Sequence, residues 1–177
     1  MKKTALLLAL MLVLVSLLTA CSDDAPSDIP EGYAEATNDA VDFYFYYPED
    51  WTLDRNDGLI KVIVSDPQAS DDISNVTATV LSVNSNISSI EEYFDMFSDE
   101  FQKSFADYRE IGDRIEGDNS LTVCYTGSVA GVEYKYLQFM LYGGGNLYTF
   151  TYTAPTAYYD AHLEDAKALF DSVNFKS

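Results

Sequence analysis

Histidine and tryptophan each occur once in this 177-residue chain, cysteine twice, and lysine and arginine together only ten times against 29 aspartates and glutamates. Each scarcity closes off a class of chemistry. The single histidine, His162, leaves a zinc site or a hydrolase triad without identifiable partners, and its place beside an apolar helical stripe reads as a packed or surface side chain. Two cysteines exclude a disulfide framework, and no C-x-x-C pair exists. With so few basic residues and so large an acidic excess, the surface repels phosphate backbones, which excludes nucleic acid as a partner. The G-x-S-x-G elbow, H-E-x-x-H and G-x-G-x-x-G are missing too, and the triple glycine of residues 143–145 lacks the Gly-Lys-Ser/Thr of a phosphate loop. The expectation is a protein that is not an enzyme.

Long hydrophobic runs are also absent, with one exception at the N-terminus. Met1, Lys2 and Lys3 precede an apolar run from Ala5 to Leu18, closed by Leu18-Thr19-Ala20-Cys21. A spanning helix needs about 20 apolar residues, and an ordinary secretory signal needs no cysteine at its cleavage site. The pattern resembles a bacterial lipoprotein signal over residues 1–20, cut between Ala20 and Cys21, with acyl chains such as palmitate carried on Cys21. Two such chains, at ~0.8 kcal/mol per buried CH₂, hold a protein stably on a membrane. The mature chain is therefore expected at the cell membrane, facing outside the cytoplasm. Without Lys2 and Lys3 its basic residues number eight against 29 acids, a formal charge of −21. If Cys21 is acylated, Cys124 is the only thiol left, and it reads as a small buried hydrophobe.

Residues 21–39 are rich in Asp, Ser and Pro and lack a sustained apolar period, which reads as a lipidated, flexible acidic tether. A globular domain is expected over residues 40–177. Strand-like runs occupy Val41 to Tyr47, Leu59 to Ser65, Val76 to Val83, Leu121 to Ala130, Val132 to Tyr142 and Leu147 to Thr153. Tight turns are marked at Asn56-Asp57-Gly58 and at Gly143-Gly144-Gly145-Asn146. Two segments have a helical period instead. In the first, Ile90, Phe94, Phe97, Phe101 and Phe105 share a stripe behind a Ser88/Glu91 capping box; in the second, Tyr159, Leu163, Ala166, Phe170 and Val173 follow Pro155 at the first turn.

The stretch FYFYYPEDW, residues 43 to 51, is aromatic at both parities, so each face of its strand needs a cover. Placing one helix on each side of a largely antiparallel sheet meets that need. The expected fold is an α+β, three-layer α/β/α sandwich with a central sheet flanked by helices.

The same Tyr-Pro then Trp pattern, with the C-terminal stretch YTFTYTAPTAYYDAHLEDAKALFDSVNF, resembles the PsbP-like family over about residues 40 to 176. The resemblance implies an antiparallel sheet flanked by helices and an extracytoplasmic accessory character, since the family's named member is a non-enzymatic extrinsic subunit of photosystem II. The photosynthetic role is not carried over, because this acidic chain offers no basic docking face.

Binding is the remaining class of function, with an unidentified envelope protein as the expected partner. Acid-rich turns hold Asp54 and Asp57, then Asp66, Asp71 and Asp72, then Asp113, Glu116 and Asp118, oxygens of the kind Ca²⁺ takes, although none matches the twelve-residue calcium loop. Fourteen tyrosines offer a second route, a surface for a protein or a cell-wall glycan if they form one exposed patch. The alternative reading is a surface glycan-binding protein or a hydrolase using paired carboxylates.

Overall fold

A computed structural model describes residues 29–55, 60–64, 69–83 and 89–176. Among these residues, eleven strands and two α-helices follow one another as β1 (Tyr33–Ala36), β2 (Phe43–Pro48), β3 (Thr52–Asp54), β4 (Ile60–Ile63), β5 (Asn75–Ser82), α1 (Ile90–Ser104), β6 (Ala106–Glu110), β7 (Ile115–Gly117), β8 (Ser120–Val129), β9 (Val132–Gly143), β10 (Asn146–Pro155), α2 (Leu163–Asp171) and β11 (Asn174–Phe175). Eight strands form the main sheet in the order β3-β4-β5-β10-β9-β8-β6, with β7 also paired to β8. Three form a second sheet, β1-β2-β11. Every pairing is antiparallel.

Two-residue turns set the register of the long central strands. Val129 pairs with Val132 across Ala130 (φ 54°) and Gly131 (φ 84°), and Gly143 with Asn146 across Gly144 (φ 60°) and Gly145 (φ 82°). Positive φ at both central residues matches the right-handed twist of the flanking strands. The alternation along β10 follows from that register: Tyr148, Phe150, Tyr152 and Ala154 are buried, while Thr149, Thr151 and Thr153 between them are not.

The buried face of β10 meets the second sheet. Phe43 and Phe45 of β2 approach Phe150 edge-on, with ring centroids 5.3 and 6.1 Å apart, and Phe170 of α2 closes the same cluster at 6.4 Å. All three strand rings are fully buried. At roughly 1.5–3 kcal/mol for each large apolar side chain removed from water, this cluster is a main source of stability. Helix α2 runs beside β2, and Ser172 Oγ at its end accepts the Tyr46 N–H at 2.9 Å. A sheet extended by a helix thus covers this face.

The opposite face carries a second cluster, in which Ile90 and Phe94 of α1 pack on Leu121, Val123, Tyr125, Tyr136, Met140 and Leu147. Only part of that face is covered, because α1 packs on β6, β8 and β9.

The expected three-layer α/β/α sandwich is not what forms. The chain is mostly antiparallel strand, and one outer layer is itself largely a sheet. Two strands too short to show a period cause the difference: Ala36 pairs with Phe45 on one edge of β2 and Asn174 with Tyr44 on the other. β2 therefore nucleates its own sheet instead of joining the main one. Its inward residues Phe43, Phe45 and Tyr47 are buried as expected, but Tyr44 and Tyr46 are only half-buried, with rings 5.8 Å apart.

Other boundaries shift for local reasons. β1 lies inside the segment read as tether, so regular structure is already present at Tyr33, before residue 40. The first helix ends at Ser104, and residues expected to continue it form β6, entered through Asp107 at φ 60°. Its cap is Ser89, whose Oγ accepts the Glu92 N–H at 3.1 Å, one position after the expected Ser88/Glu91 pair. Pro155 ends β10 opposite Tyr134 instead of opening α2.

Candidate functional site

A groove opens where α1 stops short of the edge of the main sheet it covers. Tyr93 and Phe97 sit four residues apart on one flank of the helix, with rings 4.5 Å apart. Across from them the sheet presents Thr79 of β5 paired with Thr149 of β10, next to Met140 of β9. These residues, with Phe94 and Gln138, line an open hollow of about 170 Å³.

A second cavity of about 200 Å³ lies under the first turn of α1, sharing Tyr93 with its neighbour. Val83, Ile90, Tyr142 and Leu147 make an apolar floor; Ser89, Glu91, Asp118, Asn119 and Ser120 make a polar rim. The rim is held by local structure. Asn119 accepts the Tyr142 N–H at 2.9 Å through its carbonyl, and Gly117 closes the β7–β8 turn so tightly that a Cβ there would run into Ser120 Oγ. Burial pushes the Tyr93 phenol up from its ordinary value, so its hydroxyl stays protonated near neutral pH and can donate.

The other flank of α1 is tied down. Arg114 donates to Asp95 at 2.8 Å and, through two nitrogens, to Glu110 at 3.0 and 2.9 Å, while its guanidinium lies 4.9 Å from the Phe94 ring centre. The side-chain hydrogen bond to Glu110 holds the Arg114 charge firmly, against the cost of partial burial. The helix is thus fixed on its β6 side and open on its Tyr93 side.

Among the described residues, the acids read as cation ligands do not converge. Asp57, Asp66, Ala20 and Cys21 lie outside the described residues. Asp54 ends β3, Asp71 accepts the Tyr158 hydroxyl at 2.7 Å, and Asp113, Glu116 and Asp118 are exposed along the β6–β7–β8 region. Among the described residues no three of His, Cys, Asp and Glu come together to hold a metal ion.

Asp72 has a different role. Its side chain is 2% exposed and accepts both the Ser74 N–H at 2.9 Å and a proton from His162 Nε2 at 2.8 Å. Since a carboxylate only accepts, Nε2 must carry that proton. Burial pushes the Asp72 carboxyl up, but Ser74 and then His162 more than offset it, leaving the group below its ordinary value. The Ser74 hydroxyl is fully buried without a well-formed hydrogen bond. Trp51 meets the His162 ring edge-on at 5.9 Å. The pair clamps the β4–β5 loop to the start of α2.

Tyrosine exposure decides against a tyrosine patch: all fourteen are described, and each is buried or half-buried. Cys124 is half-buried, with its sulfur 3.7 Å from the Tyr159 hydroxyl, and Lys135 lies 4.1 Å above the Tyr159 ring. The groove itself escaped the sequence reading, since Thr77, Thr79, Thr149, Thr151 and Thr153 alternate as any solvent face would. Exposed Leu81 and Phe97 within two apolar stretches are the signal that marks it.

No family profile and no curated protein matches the chain. Solved structures do. Cyanobacterial PsbP (CyanoP) from Synechocystis sp. PCC 6803 superimposes with a TM-score of 0.58 at 15% identity, over 90% of this chain and 99% of that one. LpqN, involved in cell envelope biogenesis of Mycobacterium tuberculosis, gives a TM-score of 0.57 at 12% identity, over 82% of this chain and 86% of its own. At these identities the likeness speaks for architecture alone, and the architecture is PsbP-like.

Proposed function

We propose that this protein is a lipid-anchored, extracytoplasmic accessory domain without catalytic activity of its own, which binds a partner protein in the groove beside α1. The observation that carries the reading is the pair of adjoining cavities that Tyr93 shares. Supporting it are the Leu18–Cys21 signal in the sequence and an envelope protein, LpqN, among proteins of the same fold. Among the described residues no helix is long and apolar enough to cross a membrane.

Two measurements test the halves of this reading. Cys21→Ser in the full-length chain is expected to move the protein from the membrane to the soluble fraction and to remove the acyl mass; membrane retention would refute the anchor. Thr79→Trp, which fills the groove from an exposed position, is expected to abolish crosslinking to an envelope partner in native membranes. Unchanged crosslinking would refute the groove.

A carboxylate-dependent hydrolase is favoured by one feature, the presence of Glu91 and Asp118 in the same cavity. Against it, sites for small molecules span roughly 300–1,000 Å³, and this cavity is smaller. Turnover of an oligosaccharide that Glu91→Gln abolishes would establish the hydrolase instead.

A further inference from the structure

The structure assigns the groove an occupant: an extended, basic peptide segment of the partner that places two apolar side chains, two residues apart, in the two cavities. This rests on the groove being the binding site. Cavity size comes first. At about 200 and 170 Å³, each has room for one large side chain.

Their spacing comes from β10. Leu147 lines the first cavity and Thr149 the second, and they are successive residues on one face of the same strand. Same-face neighbours on a strand are about 7 Å apart. An extended peptide repeats its side chains at the same interval, so residues i and i+2 match the two cavities without distortion. A helical segment would offer i and i+3 or i+4 instead.

Charge sets the flanking residues. The linings of the two cavities include Glu91 and Asp118 and no basic residue. The whole chain carries 29 acids against ten bases, a field that steers basic partners and repels acidic ones. Leu81, 51% exposed, and Phe97, 39% exposed, extend the apolar surface at the margins. A lysine or arginine next to the anchor in the first cavity would reach the Glu91 and Asp118 rim.

The test is a titration of the isotopically labelled full chain with the peptide Lys-Lys-Leu-Thr-Phe-Lys-Lys, followed by backbone amide shifts. Saturable shifts confined to Tyr93, Asn119 and Thr149 are expected. Glu91→Gln with Asp118→Asn should weaken binding about five-fold, as expected for rim charges, and Thr79→Trp should abolish it. Equal binding by a peptide with glutamates in place of the lysines overturns the charge assignment. Equal binding with Leu and Phe adjacent overturns the spacing, and groove shifts produced by a neutral hexasaccharide in place of the peptide overturn the peptide itself. Shifts scattered over the acidic surface do the same. If Thr79→Trp blocks the native crosslink while the peptide leaves the groove unchanged, only this inference fails; if the crosslink survives, the groove reading fails with it.

Discussion

The two faces of the main sheet are built from the same strands, yet they are finished differently. One is sealed by a second sheet and α2, with Phe43, Phe45 and Phe150 wholly out of water. The other is covered by α1 over β8 and β9 and left open along β5 and β10. The sealed side concentrates fully buried aromatic rings, and the half-covered side exposes apolar surface at the margin of a fixed helix. The groove is what remains when a cover is narrower than the sheet beneath it.

Breaking the sealed side should do the most damage. Phe150→Ala is expected to cost about 3–5 kcal/mol, a large share of a typical domain's stability, seen as a lowered urea midpoint. Phe94→Ala under α1 should cost about 3 kcal/mol. Hydrogen exchange should separate the two, speeding in α1 for Phe94→Ala while β2 stays protected; equal speeding in β2 would mean that the faces are not independent.

A smaller effect is expected at Gly127, where a Cβ would meet Phe105 Cβ at 2.7 Å and the first ring carbon at 2.9 Å. Gly127→Val should cost about 1–3 kcal/mol by overpacking, again confined to the half-covered side. The Asp72–His162 clamp should respond to pH. Because the folded Asp72 carboxyl sits below its ordinary value of 3.8, its stabilisation is full above that pH and is lost as pH falls through the folded value. Urea midpoints of Asp72→Asn should therefore fall less steeply than those of the unmodified chain below about pH 4. Smallest of all, Phe97→Ala should change stability by no more than about 0.5 kcal/mol while weakening groove binding. A large loss of stability there would show Phe97 to be core.

The unequal finish of the two faces also explains what could be read in advance. Long strands with a clear period of two, such as Leu121 to Ala130, and the stripe through Ile90 and Phe94 announce themselves locally. Tyr33–Ala36 and Asn174–Phe175 have too few residues to show a period, and their pairing with β2 is what replaces an α/β/α sandwich by two sheets. The groove depends on which strands α1 overlies, a tertiary fact that the alternating threonines do not encode. The acids of the three polar turns were visible as composition, but their separation in space was not.

β2 has one neighbour from early in the chain and one from residues 174 and 175, and just beyond them Lys176 donates from its amide to Asp42 and from its amine to the carbonyls of Asn38 and Val41. The sheet that seals the larger core therefore draws its strands from both ends of the described residues, and its last strand forms only once residues 174 and 175 are there to pair with β2.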